Sequence, residues 1–143
     1  MQQPPRAPES PLLDRPSVRF VVGAGTIKAL LALGVLGVVP MMGYDLDATR
    51  ATAFHFMAVG QLFLTYPSRH TWTYPLPNRY LNAAVLGGIA IQMAASWLPV
   101  TSNLLGNASI PWTLWLVVFG TAALSWSLAE AVSRVVWRQS EQP

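Results

Sequence analysis

Residues 50–79 read RATAFHFMAVGQLFLTYPSRHTWTYPLPNR. An arginine leads into a short apolar run, the run ends in a proline-rich, aromatic, basic loop, and Arg79 opens a second apolar run. That is the pattern of a membrane hairpin turned around a basic loop, because prolines break helices and tyrosine, tryptophan and arginine suit the membrane–water interface. The only strongly polar uncharged side chain in the middle of the first run is Gln61.

The rest of the chain supports a lipid environment. Of 143 residues, 52% are hydrophobic and 10% charged, against roughly 25% charged in soluble proteins. No Asp or Glu occurs between Asp47 and Glu130, and Arg50, Arg69 and Arg79 are the only cations of that interval. Such a stretch cannot supply the polar face that every helix of a soluble bundle requires. The absence of Cys excludes disulfides, thiolate metal sites and cysteine catalysis. The basic residues are spread among loops without interleaved aromatics, so a nucleic-acid partner is not expected.

Residues 1–17 contain five prolines and both charge signs, a composition that buries too little apolar area to offset ordering entropy; they are read as a cytoplasmic tail. Four spans follow, over about 20–39, 48–66, 80–98 and 112–137, within a membrane domain at 18–138, and 139–143 form a second tail. The first has 20 residues, about 30 Å of helix, which matches a hydrocarbon core; Pro40 is expected to end it. Its Gly23, Gly25, Gly34 and Gly37 offer close helix approach, as does the third span's ladder of Ala83 with Gly87, Ala84 with Gly88 and Ala90 with Ala94. Asp45 and Asp47 suit the N-terminus of the second span. Residues 99–111 form an uncharged polar loop containing the sequon Asn107-Ala108-Ser109, a pattern frequent by chance. Trp112, Trp115 and Trp137 are expected as interface anchors of the fourth span. The architecture is therefore an all-α, integral membrane four-helix bundle. Arg6, Arg15, Arg19, Arg69, Arg79, Arg134 and Arg138 fall on the side of the two termini, and Arg50 alone on the other; short cytoplasmic loops carry the Lys/Arg excess, which puts both termini in the cytoplasm.

Six polar side chains within or near the spans are candidates for function. Lys28 inside the first span costs about 2.5–3.5 kcal/mol at mid-bilayer unless it snorkels or faces protein. His55 and Gln61 in the second are separated by about 240° of helical rotation, so they share no face and form no two-ligand metal motif. Gln92 is the lone polar group in the middle of the third span. Glu130 and Arg134 form an i,i+4 ion pair at the cytoplasmic end of the fourth, worth about 0.2–0.5 kcal/mol if solvated. Ser and Thr are scattered, and neither His55 nor His70 has a carboxylate nearby in sequence, so no catalytic residue is assigned; metal-ligand clusters and a phosphate loop are absent from the sequence as well.

The landmarks resemble a known family. Met1-Gln2-Gln3-Pro4-Pro5-Arg6, then a span, then the run from Arg50 to Arg69, then Asn78-Arg79-Tyr80-Leu81, then Trp112-Thr113-Leu114-Trp115 with Glu130 beyond, together resemble the C-terminal membrane region of P-type cation-transporting ATPases. The resemblance covers nearly the whole chain and is best at Arg50, Ala53, Phe54, Gln61, Leu62, Phe63, Ser68 and Arg69. It implies that the four spans correspond to helices seven to ten of a calcium or cation pump. Calcium-pumping relatives can carry an acidic ion ligand near the position of Gln61; an amide here offers one carbonyl oxygen but no charge, so Gln61 is either a packing amide or a group lining the ion path. The family uses ATP and Mg, yet its Asp-Lys-Thr-Gly phosphorylation sequence and nucleotide-binding domain do not occur in these residues. The chain is thus expected to hydrolyse no ATP by itself, to bind no cofactor alone, and to need the remaining part of a pump as partner in a prokaryotic plasma membrane. The competing expectation is an independent four-span protein that binds a lipid, a small solute or a membrane partner.

Overall fold

The computed structural model describes residues 15–68, 79–98 and 109–140. Within them the chain is all-α: α1 (Arg15–Met41), α2 (Leu46–Phe63), α3 (Arg79–Trp97) and α4 (Trp112–Ser140), with no strand among the described residues. The basic loop around Arg69 and His70, the sequon asparagine, residues 1–14 and residues 141–143 lie outside the described residues.

The helix ends follow local chemistry. α1 begins at Arg15 and so takes up the last three residues of the expected tail; Pro16 is tolerated there because the first-turn N–H groups have no intrahelical acceptor. Pro40 does not end α1, which continues to Met41. The stop is Gly43, whose φ of 89° is a conformation that glycine alone adopts without strain. Its N–H donates to the Pro40 carbonyl at 2.9 Å, as in a glycine C-cap. α2 starts on Asp45, whose Oδ1 accepts from the Ala48 N–H at 2.8 Å. The polar first turn is satisfied internally, since Thr49 Oγ1 donates to the Asp45 carbonyl and Thr52 Oγ1 to the Ala48 carbonyl, both at 2.7 Å. α2 ends at Phe63, three residues short of Tyr66, and Thr65 and Tyr66 close tighter turns onto Leu62 and Phe63. Pro67 explains this: its ring excludes a helical i−4 neighbour and disfavours helical geometry in the residue before it.

Side-chain meetings fix the topology. Val132 stands beside Gly23 and Thr113 beside Tyr44, so α4 runs antiparallel to α1. Leu62 meets Gly88 and Tyr66 meets Asn82, so α3 runs antiparallel to α2. Trp115 meets His55 and Trp126 meets Phe63, so α2 and α4 are parallel. This is an up-down-up-down arrangement in which α2 packs on all three other helices. The described arginines divide accordingly: Arg15, Arg19, Arg79 and Arg134 lie toward one end and Arg50 toward the other.

The main core forms where α1, α2 and α4 converge, around Val35, Phe56, Val59, Leu114, Trp115 and Val118. A second cluster of Phe20, Ala24 and Ala129 closes the end that carries the termini. Trp115 is a core residue and not an interface anchor: it is 1% exposed, because its ring packs against His55 of α2 and against Phe119 one turn along α4. Trp112 is 63% exposed and meets Trp97 edge-on. The α3 ladder of small residues is mostly unused. Of its glycines Gly88 is in close contact, a Cβ there falling 2.9 Å from Leu62 Cδ1, and nothing lies within 4 Å of the same position at Gly87; Ala83, Ala84, Ala90 and Ala94 are exposed. On α1 Gly23 alone packs tightly, while Gly25, Gly34 and Gly37 face open space.

α1 and α4 are long and apolar enough to cross a membrane. α2 and α3, at 18 and 19 residues, do not meet that measure of length and composition among the described residues.

Candidate functional site

Four of the polar groups singled out in the sequence meet in two pairs between helices, and both pairs use α2. Lys28 Nζ donates to Gln61 Oε1 at 2.7 Å. Gln92 Nε2 lies 2.9 Å from His55 Nδ1. The wide angular separation of His55 and Gln61 places each against a different neighbour: Gln61 reaches α1 and His55 reaches α3 and α4.

Lys28 lies at the midpoint of α1 and is 6% exposed. It lies against Gly60, where a Cβ would be in ordinary contact at 3.5 Å from Lys28 Cε. Lys28 therefore does not snorkel to an end of the helix; it is buried against α2. Gln61 itself is exposed on the outer surface of the bundle, so the pair has a buried cation and a surface amide. An amide carbonyl satisfies a hydrogen bond but carries no compensating charge. The described carboxylates are Asp45, Asp47 and Glu130. The first two lie at the far end of α2, and Glu130 holds Arg134 Nε at 3.2 Å across one turn of α4. That ion pair, with Arg134 largely exposed, is a solvated helix contact of small stabilising value.

His55 is 1% exposed. With the Gln92 amide nitrogen donating, Nδ1 is the acceptor and the ring proton sits on Nε2. The ring lies 4.9 Å from that of Trp115. His55 Nε2, Trp115 Nε1, Ser96 Oγ and Ser125 Oγ are buried without a hydrogen-bond partner. Ser96 follows Gln92 by one helical turn, a spacing that marks it as part of the same face from sequence alone; Ser125 and the Trp115 stacking carry no such signal. Among the described residues no three His, Asp or Glu side chains converge as a metal site. Among the described residues His55 meets Gln92 and Trp115, contacts that tie α2 to α3 and α4.

Gln61 Oε1 is the one atom that the residue could offer a hard cation, and Lys28 already donates to it. A cation on the second lone pair of that oxygen would stand beside the Lys28 ammonium and be repelled by it.

A family described as cation transporting ATPase, C-terminus, matches residues 1–135. The chain belongs to this family. The match takes in both polar pairs and all of α1, α2 and α3. No curated protein and no solved structure matches the chain. For a cation ATPase C-terminal region, the four-helix arrangement with one helix at its centre is the frame within which the Lys28–Gln61 and His55–Gln92 pairs must be interpreted.

Proposed function

We propose that this chain is the C-terminal membrane domain of a P-type cation-transporting ATPase, as a fragment or split subunit, and that it supports ion transport without hydrolysing ATP by itself. In this reading it is a multi-pass integral membrane protein, sited in a prokaryotic plasma membrane, and the remaining part of the pump is its partner. The observation that carries the reading is the family match over residues 1–135. The polar pairs add to it: one ties the last turn of α2 to the middle of α1 and the other ties the middle of α2 to α3, which suits a rigid support for ion-binding helices supplied by the partner. ATP and Mg would be used by the partner's domains. Gln61 would line the ion path from its edge, since its carbonyl is engaged by Lys28.

The test is reconstitution of the chain with a candidate partner containing the phosphorylation domain and the preceding spans. Ion uptake and phosphoenzyme turnover that require both parts are expected. Full activity of the partner without this chain would overturn the reading, as would purification of the chain as a stable oligomer with its own lipid or solute ligand. In the assembled pump Gln61→Ala should alter apparent ion affinity, and unchanged affinity and turnover would remove Gln61 from the path.

A further inference from the structure

α2 packs on three helices and leaves one stripe open. Arg50, Phe54, Met57 and Gln61 are all exposed, and at 100° per residue they fall within about 60° of one another. On one side of the stripe Gly60 faces Lys28 of α1; on the other Leu62 and His55 face α3. α1 and α3 do not pack on each other. The stripe is therefore the floor of a groove with α1 and α3 as its walls. On α1, Gly25 and Ala29 are exposed beside Lys28, with Leu36 two turns further along the same wall; on α3, Met93 turns toward the core, which leaves exposed Ala84 and Ile91 on the opposite flank. Gly25, Ala29 and Ala84 are small residues that admit a close helix approach.

Charge identifies the occupant. Lys28 is buried at the midpoint of a membrane-length helix, and among the described residues its one hydrogen bond is to a neutral amide. Intramembrane cations are stabilised by pairing. The amide that holds Lys28 opens onto the groove, and its nitrogen donates while its oxygen accepts. A carboxylate entering the groove at this depth would accept from Gln61 Nε2 and lie next to Lys28 Nζ.

We propose that the groove between α1 and α3 is the docking surface for a transmembrane helix that presents a mid-span carboxylate to the Lys28–Gln61 pair. The proposal deepens the reading of the chain as one part of a pump, and it rests on that reading for the identity of the helix.

The chain contains no cysteine, so a single fluorophore at Ser68→Cys, an exposed position just past α2, reports approach of a labelled peptide. The probes are leucine-alanine transmembrane peptides that differ only at one mid-span residue, Glu or Leu, in vesicles of pure phosphatidylcholine. The Glu peptide is expected to associate about tenfold more tightly than the Leu peptide, the size of a favourable interhelical polar contact. Lys28→Met should abolish the preference and Lys28→Arg should retain it, with helix content by circular dichroism confirming that each variant is folded. Equal association of the two peptides with the parent chain would show that the carboxylate is not recognised and would overturn the proposal, as would no association of either, with lipid alone filling the groove. So would a Glu preference that survives Lys28→Met. No pump takes part in this experiment: a lost preference removes the groove proposal alone, and a failed reconstitution beside a retained preference removes the pump reading alone.

Discussion

Gln92→Leu would leave His55 buried with neither ring nitrogen hydrogen-bonded, since Nε2 already has no partner. Interhelical polar contacts in membranes are worth about 0.6 kcal/mol on average and up to about 2. The variant is expected to lose stability in that range, read as a lower midpoint in detergent unfolding. His55→Phe made on top of Gln92→Leu should recover most of the loss, because the aromatic packing on Trp115 survives and the unpaired imidazole is gone. A double variant no more stable than Gln92→Leu would show that the pair contributes packing and not hydrogen bonding. Lys28 behaves differently. Lys28→Met removes a buried cation whose partner is neutral, so the isolated chain should gain stability or be unchanged, whereas Gln61→Leu, which strands the cation, should destabilise it.

At the scale of elements, α3 is the helix held least. Val85 and Ser96 are its buried residues, and it packs along α2 alone, with Trp97 touching Trp112 at one end. Gly88 sets its distance from α2. A Cβ there comes within 2.9 Å of Leu62 Cδ1, the end of a flexible side chain, so Gly88→Ala should cost little. Gly88→Ile should push α3 off α2, raise amide exchange throughout α3 and leave α1 and α4 protected; adding Leu62→Ala should reverse this. The helices themselves were legible in the sequence, because hydropathy, the Asp45 cap and Pro67 are local signals. The end of α1 was less so: Pro40 looked like the stop, but its missing N–H affects only the last turn, and the left-handed Gly43 ends the helix. Which small residues pack was not legible, since Ala83, Gly87 and Gly88 are equivalent in a pattern and only the register with Leu62 separates them. The two polar pairs were hidden for the same reason. Each of the four residues was visible as a polar interruption, and only tertiary register pairs Lys28 with Gln61 and His55 with Gln92.

For the whole molecule, the question is whether α2 and α3 cross the membrane along with α1 and α4. Their hydropathy does not meet the measure that α1 and α4 meet, and the packing supplies the expectation that labelling tests. α2 lies lengthwise along its neighbours: the turn at Tyr44 is tied to Thr113 at 2.6 Å at one end of the bundle, and Ser133 Oγ donates to the Pro67 carbonyl at 3.3 Å at the other. A layer that contains α1 and α4 therefore contains α2, and α3 is carried with it by the contacts at Asn82, Gly88 and Gln92. The cost of so polar a helix is lowered because Thr49 and Thr52 bond within α2, and His55 and Gln61 each have an interhelical partner. Ser68 and Ser109 then stand at opposite ends of the bundle, both exposed. Single cysteines at the two positions should label from opposite sides of intact membranes. Ser68→Cys shares its end with Arg15, Arg19, Arg79 and Arg134, so it is expected to react only after permeabilisation, as the positive-inside rule requires. Ser109→Cys should react from outside. Labelling of both from one side would mean that α2 and α3 do not cross, and with them the groove that exposes Gln61 would lie outside the bilayer.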